Sequence, residues 1–224
     1  MAGIVQIKQD SLTKRKAKGD TWLTELLDDY LSGVMVPPRA GVFHPSTLSN
    51  RCDRAVWLIY HGKMETTPLE AVTQRIFQNG NYLEKRVQTW LEKLNILLGR
   101  EIPVKLDIPP ISGRMDFLIR HELYGIIPIE LKSINTSGFT SLKQPKPEHQ
   151  FQLQMYLNMG NHERGTVLYE NKNDQKLKSF IVERDAEQWD SILNRCFKIQ
   201  RMTEPPKKCT GERWCACKKV DYGK

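Results

Sequence analysis

Two neighbouring apolar segments of this sequence carry charged side chains at positions where a buried strand normally has none. Asp116 lies within the segment 111–119, and Glu130 and Lys132 flank Leu131 in the next segment. Side chains alternate between the two faces of a strand, so Glu130 and Lys132 share one face. If the two segments pair, Asp116 joins them there. Because a divalent cation between two carboxylates offsets the cost of burying their charges, the pattern predicts a metal site.

A long helix that could supply a further ligand is predicted over residues 69–98 from its apolar stripe. Glu84 lies at the edge of that stripe. We interpret it either as a third carboxylate aimed at the metal or as a boundary side chain that reaches solvent. Gly80, in the same helix, costs about 1 kcal/mol relative to alanine and indicates a close approach by another backbone.

A polar stripe follows the two charged segments on a helix predicted over residues 148–159. His149, Gln152 and Tyr156 lie on this stripe at i, i+3 and i+7, a spacing that would let them overhang the acidic strands. The preceding segment 135–147 is rich in threonine, serine, glycine, lysine and proline, and it is predicted to be a mobile loop. Two lysines make this loop basic, Lys143 and Lys146.

Four cysteines could form a metal-binding set, with one member early in the chain and three within nine residues near its end: Cys52, Cys209, Cys215 and Cys217. Four thiolates suit tetrahedral zinc or an iron–sulfur cluster equally well by ligand type. The alternative is that the C-terminal thiols are surface groups on a frayed tail. The helix that follows Cys52, through residues 55–60, is predicted to have Ser46 or Ser49 as its cap. Cys196, in a closing helix predicted over 186–202, is expected in the core.

The whole chain has 224 residues with 34 Lys+Arg against 26 Asp+Glu, a formal charge of +8. That balance favours a polyanionic partner, nucleic acid before a membrane surface. No apolar run reaches the ~20 residues that span a bilayer, and no apolar signal region is visible, so we expect a cytoplasmic protein. The basic run 14–18 is either a solvated leader or an electrostatic arm. Residues 22–31 are predicted to pack as a helix, and 166–172 and 177–183 to form a hairpin.

Three short motifs, taken together and in this order, resemble those of the RecB-like branch of the PD-(D/E)xK nuclease superfamily. Gly113-Arg-Met-Asp116 resembles its GxxD motif, Glu130-Leu-Lys132 its ExK motif, and Gln152-Leu-Gln-Met-Tyr156 its QxxxY motif. Gly80-x3-Glu84 is similar to phage exonuclease relatives that use Glu where many RecB-like enzymes have His. The resemblance extends over nearly the whole chain from His44 onward.

The four cysteines resemble the subset of this branch that holds a 4Fe–4S cluster, which includes AddB-type and CRISPR-associated exonucleases. Relatives usually carry Cys-x2-Cys-x5-Cys at the C-terminal end, whereas here the spacing is Cys209-x5-Cys215-x-Cys217. The number of cysteines is retained, and the metal is therefore expected to be a 4Fe–4S cluster, with zinc as the alternative.

The resemblance implies an α/β (α+β) fold with a restriction-endonuclease-like core, a central mixed β-sheet flanked by helices. The N- and C-terminal segments would be joined by the cysteine cluster. The expected organisation is a basic, flexible leader at 1–20, a nuclease domain at 21–204, and a Cys-rich tail at 205–224 that completes a metal cluster with Cys52.

The resemblance also implies which residues act. Mg²⁺ or Mn²⁺ would be held by Glu84, Asp116, Glu130 and the backbone carbonyl of Leu131. Lys132 would orient the attacking water, and Gln152 and Tyr156 would position the scissile phosphate. The expected DNA contacts are His149, Lys143, Lys146 and Lys172.

The implied function is that of a metal-dependent DNA exonuclease acting on single strands or DNA ends, in phage recombination, repair or CRISPR adaptation. Such an enzyme would work in the cytoplasm of a bacterial or phage-infected cell. Two alternatives stay open, a structure-specific DNA endonuclease and a DNA-binding subunit that has lost its activity. An intact set of two acids and one lysine argues against the second alternative, because a retired site has no physical reason to keep costly charges together.

Overall fold

The computed structural model describes residues 21–36, 39–64, 68–210 and 215. The predicted leader 1–20 and the predicted ligand Cys217 lie outside the described residues. The described residues form two compact units, one made of 21–36 and 68–79, and one made of 39–64, 80–210 and 215. None of the described helices is both long enough and apolar enough to cross a membrane.

The first unit contains helix α1, Trp22–Leu31, at the predicted position. The prediction that α1 packs is wrong, because none of its residues is buried and Trp22 and Tyr30 are 55% and 68% exposed. A backbone hydrogen bond closes the last turn of α1: the Ser32 N–H donates to the Asp28 carbonyl at 2.9 Å. The regular spacing of apolar residues therefore predicts the helix correctly, although the helix is not buried.

The second unit holds the sheet and most helices. The helices of the remaining chain are α2 Pro45–Asn50, α3 Asp53–Tyr60, α4 Ala71–Lys93, which starts in the first unit, α5 Thr136–Ser141, α6 Pro147–Met159 and α7 Ala186–Arg201. The strands are β1 Leu97–Leu106, β2 Ile111–His121, β3 Gly125–Ile134, β4 Arg164–Asn171 and β5 Leu177–Glu183. The hairpin predicted for β4 and β5 is confirmed by their antiparallel pairing.

The five strands form one sheet in the order β1-β2-β3-β4-β5. Only the β3–β4 pair is parallel, and the other three neighbouring pairs are antiparallel. A parallel pair needs a crossover connection, which α5 and α6 provide between these two strands. The structure is thus a mixed sheet flanked by helices, and the predicted α/β fold class is confirmed.

The two faces of the sheet are covered by different helices. Leu83 and Val87 of α4 pack with Ile129 and Leu131 of β3 on one face. On the other face, the residues of α6 pack with Val167 and Tyr169 of β4 in a separate cluster. Glu130 is the register partner of Val167, so its side chain belongs to the face that α6 covers.

A third apolar cluster joins α3 to α7 and includes Trp57, Ile192 and Cys196. Cys196 is 0% exposed, which confirms its predicted place in the core. Beside this cluster, Arg195 of α7 donates to the Asp53 carboxylate at 2.8 Å and to the Arg51 carbonyl at 2.7 Å. This guanidinium fixes the short connection between α2 and α3.

Three local predictions are corrected by the structure. The loop predicted over 135–147 contains α5, which forms because the Asn135 side chain caps it by accepting the Gly138 N–H at 2.8 Å. The cap of α3 is Cys52, which accepts the Ala55 N–H at 3.5 Å, and not Ser46 or Ser49. No described atom outside helix α4 would lie within 4 Å of a Cβ on Gly80, so the expected close backbone approach is absent among the described residues.

Candidate active site

The charged residues predicted to act together meet where β2 and β3 stop pairing with each other. Their antiparallel register runs from His121 with Gly125 to Phe117 with Ile129. At the next position, Oδ2 of Asp116 accepts a hydrogen bond from the Leu131 N–H at 2.7 Å. A carboxylate therefore occupies the place where a backbone carbonyl would continue the ladder.

Glu130 and Lys132 lie on the next strand and form a buried ion pair. Glu130 is 1% exposed, and its Oε1 lies 2.5 Å from Nζ of Lys132. Oε1 is the oxygen paired with Lys132, and Oε2 of Glu130 accepts no hydrogen bond from any described residue. Two lone-pair-rich oxygens are thus buried with one ammonium group beside them.

Burial and neighbouring negative charges make both acids hard to ionise. Burial, then the Glu130 charge, raises the pKa of Asp116 to about 8, although Lys132 and the Leu131 N–H oppose the shift. Burial likewise raises the pKa of Glu130 against the pull of Lys132. Burial disfavours the Lys132 ammonium, but Glu130 and Asp116 outweigh that effect and raise the pKa of Lys132. Lys132 is therefore an ammonium group at neutral pH.

This donor set fits a hard divalent cation. Carboxylate oxygens are the ligands that Mg²⁺ prefers, and such an ion would stabilise two neighbouring carboxylates of which one, that of Glu130, is buried. Asp116 and Glu130 are brought together as predicted. The role of the Leu131 carbonyl as a ligand stays a prediction.

Glu84 reaches the same cluster from α4, on the other side of the strands. Burial, then the negative charge of Asp116 and of Glu101, raises the pKa of Glu84. Glu101, which sequence analysis missed, lies in β1 with a positive φ of 46° and pairs with Arg114 at 2.9 Å. Glu84 and Glu101 line a cleft of about 680 Å³. Glu84 is close enough to Asp116 to be affected by its charge and also borders this cleft, and its role as a metal ligand stays a prediction.

The polar stripe of α6 lies over the acids and is held there by a glycine of β2. Nε2 of Gln152 donates to the Tyr156 hydroxyl at 3.1 Å, and both side chains are buried. Burial, then the charge of Glu130, raises the pKa of Tyr156. A Cβ on Gly113 would lie 2.8 Å from Cε1 of Tyr156 and 2.9 Å from Cγ of Pro45. The glycine is therefore required where the tyrosine ring packs directly on the strand.

The predicted DNA contacts surround this stripe. His149 is half-buried at the start of α6, and its Nδ1 lies 2.8 Å from the hydroxyl of Tyr169, a residue that sequence analysis did not select. Lys143 and Lys172 are exposed, and Lys146 is half-buried. Their contacts with DNA stay a prediction.

Three of the four predicted thiol ligands converge at a second site. The Sγ atoms of Cys52, Cys209 and Cys215 all lie within 4.8 Å of one another. Two side chains of α3 hold the tail nearby: Arg54 donates to the Pro206 carbonyl at 2.7 Å and Trp57 to the Met202 carbonyl at 2.9 Å. Three convergent thiols fit a thiophilic metal, zinc or an iron–sulfur cluster.

No protein-family model matches the sequence, and no curated protein is detectably similar to it. Solved structures do share its fold. The crystal structure of SSO0001 matches with a TM-score of 0.58 at 18% identity, covering 89% of this chain and 93% of that one. An alkaline exonuclease, LHK-Exo from Laribacter hongkongensis, matches with a TM-score of 0.53 at 16% identity, covering 79% and 90%. Its complex with dAMP matches with a TM-score of 0.52 at 17% identity, covering 71% and 86%.

Proposed function

We propose that this protein is a metal-dependent deoxyribonuclease that hydrolyses phosphodiester bonds. The observation that carries the proposal is the buried pair Asp116 and Glu130 with Lys132, placed where β2 and β3 separate. A fold shared with an alkaline exonuclease supports it. The motif resemblance that led to these residues supports it independently.

The cation site is proposed to consist of Asp116, Glu130, Glu84 and the Leu131 carbonyl. A Mg²⁺ or Mn²⁺ ion bound there supplies Lewis-acid charge to the phosphate and makes a nearby water easier to deprotonate. The Oε2 atom of the buried Glu130, which has no hydrogen-bond partner among the described residues, supports this assignment.

Lys132 is proposed to orient the attacking water and to stabilise negative charge that develops at phosphorus. Its pKa is raised by Glu130 and Asp116 against the effect of burial, so it keeps its protons and donates hydrogen bonds. A role as general base would require the opposite shift.

Tyr156 and Gln152 are proposed to position the scissile phosphate. The Tyr156 hydroxyl accepts the Gln152 amide N–H, which leaves the hydroxyl proton able to point at a phosphate oxygen. The raised pKa of Tyr156 keeps that proton on the oxygen. Lys143, Lys146, Lys172 and His149 would contact the strand on either side.

The substrate is proposed to be single-stranded DNA or a DNA end, degraded exonucleolytically. The net charge of +8 and the complex of the structural neighbour LHK-Exo with dAMP support a DNA substrate. Phage recombination, repair and CRISPR adaptation, in the cytoplasm of a bacterial or phage-infected cell, are the proposed settings. Cys52, Cys209, Cys215 and Cys217 are proposed to bind a 4Fe–4S cluster, or zinc, with a structural role.

The decisive experiment compares end-labelled linear and circular single-stranded DNA in the presence of Mg²⁺ or Mn²⁺. Loss of the linear form alone is the expected result and identifies an exonuclease. Loss of both forms would identify an endonuclease, and loss of neither would favour a binding subunit. The Asp116→Asn variant, which removes a proposed cation ligand, is compared in the same assay. Its matched control is the Asp107→Asn variant, because Asp107 is an 82% exposed acid whose loss should leave cleavage unchanged.

A further inference from the structure

Tyr169 is a buried phenol beside the candidate active site, and the proposed reaction does not use it. In the parallel register of β3 with β4 it is the partner of Lys132, so the two side chains emerge next to each other. Its side chain is 0% exposed and its ring meets Phe180 edge-on, with 5.9 Å between ring centroids. The ring itself is thus an ordinary core group, but its hydroxyl reaches the start of α6.

The Tyr169 hydroxyl has two hydrogen-bond partners there. It accepts the backbone N–H of Lys146 at 2.9 Å, and it lies 2.8 Å from Nδ1 of His149. The phenolic proton needs an acceptor, since a buried hydroxyl donor is rarely left unsatisfied. Among the described residues, Nδ1 of His149 is the acceptor within reach. The hydroxyl therefore donates to Nδ1.

An imidazole whose Nδ1 accepts a hydrogen bond carries its single proton on Nε2 when it is neutral. His149 is held neutral, because burial, then the charges of Lys132 and Lys146, lowers its pKa to about 3. Within the described part of the chain, Nε2 has no hydrogen-bond partner, and the half-buried ring keeps contact with solvent. The Nε2–H group is available to a ligand.

The position of that group matches the rest of the site. His149 precedes Gln152 and Tyr156 on the same stripe of α6, and its ring is close enough to Lys132 to be affected by the lysine charge. The Lys132 ammonium lies beside Glu130, and the His149 ring and the Tyr156 hydroxyl are close enough to this pair for its charges to shift their pKa values. Three hydrogen-bond donors close to one another suit a phosphate, whose non-bridging oxygens are acceptors only.

We propose that Tyr169 is a positioning residue that holds His149 as the Nε2–H tautomer, and that this N–H donates to a non-bridging oxygen of the substrate phosphate. The phosphate contact rests on the proposed nuclease function. The tautomer does not, because it follows from the contacts of the unliganded protein.

The tautomer is measured directly by long-range proton–nitrogen NMR on protein labelled with ¹⁵N-histidine. The His149 signals are assigned by their loss in the His149→Gln variant. The expected pattern is a protonated Nε2 and an unprotonated Nδ1 in the wild type, and a mixture of tautomers in Tyr169→Phe. A wild type with its proton on Nδ1, or a Tyr169→Phe pattern identical to the wild type, would overturn the role of Tyr169.

The phosphate contact is measured without any cleavage by titrating the labelled protein with thymidine 5′-monophosphate in Ca²⁺ buffer. The Nε2 resonance of His149 is expected to move on saturation. An unmoved resonance on a protein that binds the nucleotide would overturn the contact, and so would the absence of nucleotide binding. Because this measurement needs no hydrolysis, it separates failure of this inference from failure of the nuclease assignment.

Steady-state cleavage kinetics test whether His149 contacts the substrate phosphate during the reaction. The glutamine amide nitrogen can replace Nε2, whereas the asparagine amide nitrogen lies nearer the position of Nδ1. We expect His149→Gln to retain kcat within about threefold, and His149→Asn to lose on the order of 10- to 100-fold in kcat. Equal kcat values for the two variants would contradict the inference. Tyr60→Phe, which removes a hydroxyl elsewhere, is the matched control for Tyr169→Phe and should leave the His149 spectrum unchanged.

Discussion

Asp116 lies close enough to the buried Glu130 for the charge of Glu130 to make Asp116 harder to ionise. Without a cation, burial and the neighbouring Glu130 charge raise the pKa of Asp116 to about 8. The same two acids are the strongest ligand candidates for a divalent ion. The cost of ionising both acids and their proposed affinity for a cation would therefore have one physical cause.

The pH dependence of stability follows from this pair. Unfolded Asp116 ionises near its ordinary pKa of 3.8, and the folded carboxyl ionises only near about 8. Between these values the unfolded state binds fewer protons, so the free energy of unfolding of the cation-free protein should fall as the pH rises. Denaturant unfolding after chelation of divalent ions, at about pH 4 and about pH 9, measures the change.

Asp116→Asn should remove much of this decrease in the free energy of unfolding with rising pH, because the amide has no charge to bury. Its Oδ1 can still accept the Leu131 N–H. At about pH 9 the cation-free variant should therefore melt higher than the wild type, by roughly 5 °C. Asp107→Asn serves as the control for loss of an exposed charge. A variant that is less stable than the wild type at both pH values would contradict the electrostatic account.

At the scale of elements, one glycine connects three of them. Gly113 of β2 lies under the ring of Tyr156 from α6 and beside Pro45 from α2. The motif that contains Gly113 was predicted from its resemblance to a catalytic motif. The structure shows that packing against Tyr156 and Pro45 requires a glycine at this position. Gly80 of α4 is the opposite case, since a side chain there would meet no described neighbour within 4 Å.

Alanine at these two glycines should have effects of opposite sign. Gly113→Ala forces its methyl group into Tyr156 and Pro45, so we expect the free energy of unfolding to fall by about 1–3 kcal/mol and cleavage to fall with it. Gly80→Ala should raise the free energy of unfolding by about 0.5–1 kcal/mol with unchanged cleavage. Urea unfolding and initial rates on one DNA substrate measure both. A stable, fully active Gly113→Ala variant would show that the tyrosine ring can move away freely.

The sequence predicts the elements with strong periodicity and misses what depends on long-range contacts. Strand alternation placed Glu130 and Lys132 on one face, and helical spacing placed Gln152 and Tyr156 together. The six-residue helix α5 is too short for a period to be visible, and it depends on the cap from Asn135. The sequence around Tyr169 has the pattern of an apolar core strand. Only the parallel register of β3 with β4 shows that Tyr169 lies beside Lys132.

At the scale of the whole molecule, the C-terminal tail is tied back to α3. Cys52 and Cys215, 163 positions apart in sequence, have their Sγ atoms 3.6 Å from each other. If these thiols bind the proposed metal, the resulting cross-link would restrict the unfolded chain, by roughly 5 kcal/mol in the chain-entropy model. The thiol site is thus expected to stabilise the fold and to take no part in the cleavage step.

Cys215→Ser should therefore lose bound metal and melt about 10 °C lower, while kcat changes less than about threefold. Elemental analysis, visible absorbance of protein purified without oxygen, and thermal melting measure these effects, and brown colour distinguishes an iron–sulfur cluster from zinc. Cys196→Ala is the matched control, since this buried cysteine lies in the α3–α7 core and its loss should lower stability without removing metal. A Cys215→Ser protein with normal melting behaviour would refute the structural role.

Asp116 and Glu130 are proposed to bind the cation on which the proposed nuclease activity depends. This proposal is tested most directly by the rate of Mn²⁺-dependent cleavage of end-labelled linear DNA, measured for the wild type and for Glu130→Gln at saturating DNA. The account predicts saturable Mn²⁺ dependence in the wild type and a loss of about a thousandfold in the variant, with its fold intact. Equal rates in the two proteins, or cleavage by the wild type that persists in excess chelator, would contradict it.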